Sequence, residues 1–412
     1  MDLTQLLPEE VLADVLRRVA PHGLAACRSA SKALCSIIDV DRLLLPISVG
    51  GIFINFHSAL LPEFLARPST APAISLKIKP ALMCFTFDPS STSVLLVDGH
   101  MDQYAVNPAT RQWDALPPLP SVYLVFDPAV SSHYEVFDQA DPVMEESEWP
   151  PSVCVLHVFS SRSVRWEETS FIRDGKAAGT IADMQCWDWY EISLTNDRYQ
   201  VIKPLIDCDL EEYQNIHLGR SEKGVYLATI FEPSRLMVWL LEELCGKTNW
   251  VLVHNNCLAP IVDCRLVLGP WVLQDINFNE YLKEWQEHNE HDLNLEYLIE
   301  KKLALNSGKK ELAEEKFEWD SENDNILHKQ DVADAHGNEY FSILGFHPYK
   351  EIVFLDVSMK RGLAYHLKDS KVQDLGHLYP TSYDLAFPNN RFITHSFAYT
   401  PYWTGHQKAT RL

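Results

Sequence analysis

Few residues in this 412-residue chain have the types and spacing that side-chain chemistry needs. Gly246-Lys247-Thr248 imitates the phosphate-gripping end of a P-loop, but position 241, where that loop requires glycine, is Leu241. A hairpin turn accounts for it better. Ser29-Ala30-Ser31-Lys32 fits a Ser-x-x-Lys spacing, yet neither companion motif of the enzymes that use it is present. There is no Gly-x-Ser-x-Gly and no His-Glu-x-x-His. His288 and His291 stand three apart on a possible helix, a spacing compatible with a metal, but they have no cysteine nearby and charged neighbours favour a solvated face. Cys257 and Cys264 lack a paired His or Cys motif and read as core thiols. The sequence therefore names no catalytic residue, no cofactor and no metal site.

What remains are residues suited to binding. Trp187, Trp189 and Tyr190 form a dense aromatic run. In a strand such residues alternate between faces, so at least one ring reaches a surface and is a candidate contact for a target protein, with core packing as the alternative. The second candidate is the stretch Leu6–Leu45. Pro8 suits a first helical position, Glu9 and Glu10 follow in the first turn, and Arg17 and Arg18 lie in the last, all placements the helix dipole favours. Leu7, Val11, Leu12, Val15, Leu16 and Val19 recur at helical spacing. Pro21-His22-Gly23 is expected to break this helix, with a second over Leu24–Ala30, Ser31 as a cap, and a third from Lys32 to Ile38. Three short helices bury little surface alone, so Leu7, Leu12, Leu16 and Leu24 call for a second surface.

Composition limits the partners. Hydrophobic residues make up 46% and charged residues 22%, as in globular proteins generally. The net charge of −22 argues against a nucleic-acid backbone as partner. The most apolar late region, Cys257–Leu273, is interrupted by Asp263, Arg265 and two prolines, so no membrane span is expected. Nine cysteines without a Cys-x-x-Cys pair, no Asn-x-Ser/Thr acceptor and no secretory signal favour an intracellular setting, cytoplasm or nucleus.

The elements that must carry the binding residues change character along the chain. Residues 46–80 hold five prolines and the run Gly50–Phe56, and read as a connector ending in a strand. From Ala81, short β-type runs alternate with turns. Gln103–Val106, then Asn107-Pro108-Ala109-Thr110-Arg111, then Trp113 predict a strand, a tight turn in which Thr110 bonds back to Asn107, and a returning strand. The same arrangement recurs at Val153–Trp166, at Met237–Leu252 and, without tryptophan, at Ile352–Leu367. Trp113, Trp166 and Trp250 are spaced by 53 and 84 residues, and the second gap approximates two blade periods of a β-propeller, about 40–45 residues each. Residues 277–336 interrupt the pattern with 16 acidic and 7 basic residues, and Tyr281, Leu282, Trp285, Leu295, Leu298, Ile299 and Leu303 suggest amphipathic helices.

Two resemblances follow. Leu7-Pro8-Glu9-Glu10-Val11-Leu12, Val15-Leu16-Arg17-Arg18-Val19, Leu24 and Cys27-Arg28-Ser29-Ala30-Ser31-Lys32 resemble an F-box. Tyr104–Pro117, Phe126–Phe137, Trp239–Val253 and Ile343–Gly376, with the runs Leu344–Glu351 and Arg361–Leu367, resemble the β-rich associated domain of a large group of grass F-box proteins. Ala30, Leu34 and Cys35 depart from the F-box pattern, the second where a tryptophan is usual.

The resemblance implies an α+β multidomain chain: a three-helix F-box at 1–45, a connector at 46–80, a mainly antiparallel, kelch-like propeller domain at 81–276 and 337–412, and an acidic, partly helical insertion at 277–336. It further implies a non-catalytic substrate receptor of a Skp–cullin–F-box ubiquitin ligase. Leu7, Pro8, Val11, Leu12, Leu16 and Leu24 would bind the Skp-type adaptor, and the β-domain a target protein. The alternative is a propeller scaffold whose F-box has decayed.

Overall fold

The computed structural model describes residues 8–19, 21–41, 43–44, 49–59, 61–68, 93–98, 103–116, 122–128, 131–139, 148–149, 151–177, 179–180, 189–193, 196–202, 216–231, 234–244, 247–262, 269–288, 320, 326–327, 339–386 and 391–403. The N-terminal unit holds α1 (Glu9–Leu16), α2 (Pro21–Ala30) and α3 (Lys32–Val40). Pro8 stands just outside α1 instead of opening it, and its carbonyl accepts the N–H groups of Val11 at 3.0 Å and Leu12 at 3.1 Å. α1 ends before Pro21, as expected, but Pro21 itself begins α2, three residues ahead of the expected start at Leu24. Its fixed φ suits a first helical position, where a missing N–H leaves no bond unmade. Ser31 caps α3 by position alone, since its hydroxyl makes no cap bond.

The strands are β1 (Gly51–Phe56), β2 (Glu63–Ala66), β3 (Leu95–Asp98), β4 (Gln103–Asn107), β5 (Gln112–Leu116), β6 (Val122–Val125), β7 (Glu135–Gln139), β8 (Glu148–Trp149), β9 (Val153–Ser160), β10 (Arg165–Arg173), β11 (Gly179–Thr180), β12 (Trp189–Ser193), β13 (Arg198–Ile202), β14 (His217–Ser221), β15 (Gly224–Phe231), β16 (Arg235–Leu244), β17 (Lys247–Cys257), β18 (Val272–Leu273), β19 (Phe341–Phe346), β20 (Ile352–Val357), β21 (Arg361–His366), β22 (Val372–His377) and β23 (Ile393–Tyr399). Pairing is antiparallel except between β10 and β13. Helices α4 (Ala259–Val262), α5 (Ile276–His288) and α6 (Ser382–Ala386) punctuate the β part.

Turn chemistry sets the hairpins. Asn107 Oδ1 accepts the N–H groups of Ala109 at 3.1 Å and Thr110 at 3.3 Å, and Arg111 takes a left-handed φ of 58° before Trp113 returns opposite Val106. In the next hairpin Val164 takes φ 58° and the Trp166 ring lies 5.5 Å from Phe159. In the three-residue connection between β20 and β21, Ser358 and Met359 take left-handed φ of 52° and 55°, and Asp356 Oδ2 accepts the Met359 N–H at 3.1 Å. Strands β16 and β17 run longer than expected, with only residues 245–246 between them.

The meanders β14-β15-β16-β17 and β19-β20-β21-β22 are four-stranded, β3-β4-β5 is three-stranded, and β6, β7, β9, β10, β13 and β12 share a sheet. A further four-stranded sheet, ordered β18-β2-β1-β23, joins the two ends of the β part: Gly51 pairs with Tyr399 and Phe53 with Phe397. Residues 46–80, expected as a connector, thus supply two of its strands. Phe53 lies 4.5 Å from Phe64, 5.5 Å from Phe397 and 5.2 Å from Tyr399, ring centre to ring centre. This aromatic knot buries enough apolar area to hold strands that are remote in sequence. Residues 269–271 cross β22 closely: Gly376 has φ +140°, and a Cβ there would lie 2.5 Å from the Trp271 carbonyl oxygen.

Helix α5 opens the acidic insertion, as the amphipathic pattern anticipates, and ends at His288. The insertion touches the β part again at Ile326, which bridges to Gln373, and at Leu327, whose N–H reaches the Val372 carbonyl at 2.9 Å. Among the described residues no helix is long and apolar enough to cross a membrane.

Candidate functional site

The helical unit has its own core of Ala13, Leu16, Leu24, Ile37, Ile38 and Leu44, flanked by Leu12, Val19, Leu34 and Leu43. The connection from α1 into α2 is tight, since a Cβ at Gly23 would come within 2.8 Å of Val19 Cγ1. Leu34 packs partly buried at the position where the resemblance anticipates an aromatic ring. Charges belt the unit. Arg28 forks onto Asp39, with Nε and Nη2 donating to the two carboxylate oxygens at 2.7 and 2.9 Å, and ties α2 to α3. That guanidinium holds the Asp39 carboxyl below its ordinary range. Arg17 reaches Asp14 at 2.6 Å and Asp41 at 2.8 Å, linking α1 to the end of α3.

This arrangement sorts the sequence candidates. Leu16 and Leu24 are 4% and 3% exposed and are consumed by the unit's own core. Leu12 is half-buried and flanks it. Val11 and Val15, one helical turn apart, are 44% and 51% exposed and form the free apolar face of α1. Val15 belongs to the stripe but had not stood out as a contact residue; its separation by four from Val11 was the available signal. Pro8 is exposed at the N-terminal end of that face. Leu7 lies outside the described residues.

Trp189 and Tyr190 begin β12, the edge strand of its sheet, where their backbones pair with Ile202 and Val201. Trp187 lies outside the described residues. Among the described residues no three His, Cys, Asp or Glu side chains gather as metal ligands, and Cys27, Cys35, Cys154 and Cys257 form no disulfide. A cleft between the β14–β17 and β19–β22 sheets encloses about 260 Å³, lined by Lys223, Leu240, Val253, Glu351, Leu367 and Lys368. Glu351 Oε1 accepts both Lys223 Nζ at 2.7 Å and the Tyr226 hydroxyl at 3.2 Å, so the cleft's acid is already engaged. Its volume falls below the roughly 300 Å³ at which small-molecule sites begin.

A second polar node anchors the insertion. Glu63 on β2 is fully buried and accepts the N–H groups of Ile276 and Asn277 at the start of α5. Asn277 also donates its side-chain amide to Glu63 and to the Leu61 carbonyl and accepts the Leu61 N–H. Beside them Asp275 accepts the backbone N–H and hydroxyl of Thr381. Burial and the Asp275 charge push the Glu63 carboxyl up to about 7, against the downward pull of its donors.

No protein-family model and no curated protein matches the chain.

Proposed function

We propose that this chain is the substrate-receptor subunit of a Skp–cullin–F-box ubiquitin ligase, with the three helices as the F-box and the β part as a β-propeller that holds the target. The carrying observation is the pairing of a helical unit that buries Leu16, Leu24, Ile37 and Ile38 in one core with an exposed valine face, Val11 and Val15, beside a much larger β part. An apolar face left over after a small core has formed is what a docking helix presents to a partner. The propeller reading draws support from the four-stranded meanders and from the sheet in which β23 closes onto β1. Neighbouring sheets also touch in sequence around this seam, β14 against β19 and β19 against β23. In this reading the chain performs no acid, base or nucleophilic step; it raises the effective concentration of the target beside a ubiquitin-loaded enzyme.

The test is co-purification of the full chain with a Skp-type adaptor, compared with the Val11→Asp/Val15→Asp variant. These substitutions leave the helical core intact, which a change at Leu16 would not. Stoichiometric capture that the double change abolishes supports the receptor. Failure of the folded, unaltered chain to bind overturns it and leaves the scaffold with a decayed F-box, for which Ala30 and Leu34 are the motive.

A further inference from the structure

Among the described residues outside 12–44, Trp403 is the one hydrophobic side chain that packs against the helical core. Its neighbour Tyr402 is buried in a different core, with Phe126, Tyr134 and Leu124 of the β part. Adjacent Cα atoms are about 3.8 Å apart, so a single peptide step joins the two cores.

The β part holds this step from several sides. Asn107 Nδ2 donates to the Tyr402 carbonyl at 2.9 Å. The Ala109 N–H, in the same turn, donates to the Tyr399 hydroxyl at 3.1 Å. The hydroxyls of Thr400 and Ser93 share a buried hydrogen bond of 2.9 Å. The Tyr402 ring meets Phe126 edge-on at 5.1 Å. The chain's other crossing lies between Leu44, in the helical core, and Val49, in the β core. A linker alone would let the helices swing. A second fixed crossing leaves at most a hinge about the line joining the two.

We infer that Thr400–Trp403 is a strap that fixes the attitude of the three-helix unit relative to the β part, with the Asn107 turn as its buckle and Trp403 as its tongue. The consequence is a set orientation between whatever docks on Val11 and Val15 and whatever the β part holds. The inference does not depend on the identity of either partner.

The experiment uses the full chain with spin labels on non-natural ketone side chains introduced at Ala33 and Lys368, both exposed, so that native thiols stay unlabelled. Pulsed electron resonance reads the distance distribution, and hydrogen exchange reads protection of α1–α3. The unaltered chain gives one narrow distance. Asn107→Ala, which touches no helical residue, and Trp403→Ala each replace it with a broad distribution, while Asn107→Ala leaves helix protection unchanged. Narrow distributions in both variants overturn the strap. So does a Trp403→Ala chain that loses helix protection while Asn107→Ala stays narrow, because Trp403 would then be only a core residue. Neither outcome bears on adaptor capture, which fails or succeeds separately.

Discussion

Asn277 grips Glu63 twice across the β2–α5 junction, its backbone N–H reaching Oε1 at 3.0 Å and its side-chain Nδ2 reaching the same oxygen at 2.8 Å. A fully buried carboxylate is tolerated there because donors at the start of a helix converge on it.

Burial of that carboxyl, with the charge of Asp275 beside it, makes this anchor sensitive to pH. Glu63 has a folded value of about 7 against an ordinary 4.5. Between those values the folded chain keeps a proton that the unfolded chain has released, so the stability from this group is full below about pH 4.5 and is lost as pH rises through 7. The difference is on the order of 3 kcal/mol. Hydrogen exchange at the first turn of α5 should accelerate from pH 5.5 to 8, and Glu63→Gln should flatten that dependence beyond the intrinsic exchange rate. An equal dependence in the variant would refute the assignment.

His347 works in the opposite sense. Burial first, then the nearby charges of Lys350 and Arg67, push its imidazole down to about 3, and Nδ1 accepts the Tyr349 N–H at 3.1 Å. The unfolded imidazole takes a proton below its ordinary 6.5, so stability is lost as pH falls from 6.5 toward 3. His347→Gln should reduce the loss of urea resistance between pH 7 and pH 4.5.

Arg361 and Asp374 form a buried pair between β21 and β22, Nε to Oδ2 at 2.6 Å, with side chains 10% and 2% exposed. Arg361→Met strands the carboxylate and should cost about 3–5 kcal/mol in chemical denaturation, whereas Arg361→Met combined with Asp374→Leu should recover most of it.

In the helical unit, truncation should separate core from surface. Leu16→Ala and Leu24→Ala should each destabilise the unit by about 2–4 kcal/mol. Val15→Ala should change its stability by less than about 0.5 kcal/mol. Helix-specific hydrogen exchange reads all three.

The hairpins were legible in sequence because their causes are local. Asn107 recruits donors two and three residues ahead, and Trp113 and Trp166 follow their turns directly. The three helices were legible through their period, although the second was expected to begin at Leu24 and begins at Pro21: the ring that cannot continue one helix suits the first position of the next. The closure of β1 on β23 left no local trace, since Phe53 and Phe397 are ordinary strand residues until they meet. Glu63 and Trp403 were missed for the same reason. Their partners, Asn277 and the helical core, lie at the far side of the sequence. Leu16 and Leu24 looked like docking residues because periodicity marks an apolar stripe without saying which part of it the unit spends on itself.

The seam between β1 and β23 also sets a timetable for synthesis. β1 leaves the ribosome well before β23, one of its two neighbours in the sheet. At about 5–20 residues per second, the interval is on the order of tens of seconds. Through that time β1 presents the unpaired backbone edge to which β23 will later bond, beside Phe53 and the fully buried Ile52 and Ile54. A nascent chain of this design is an aggregation hazard until β23 arrives, and products stalled or cut short before β23 should be chaperone clients and protease substrates in place of partly working proteins.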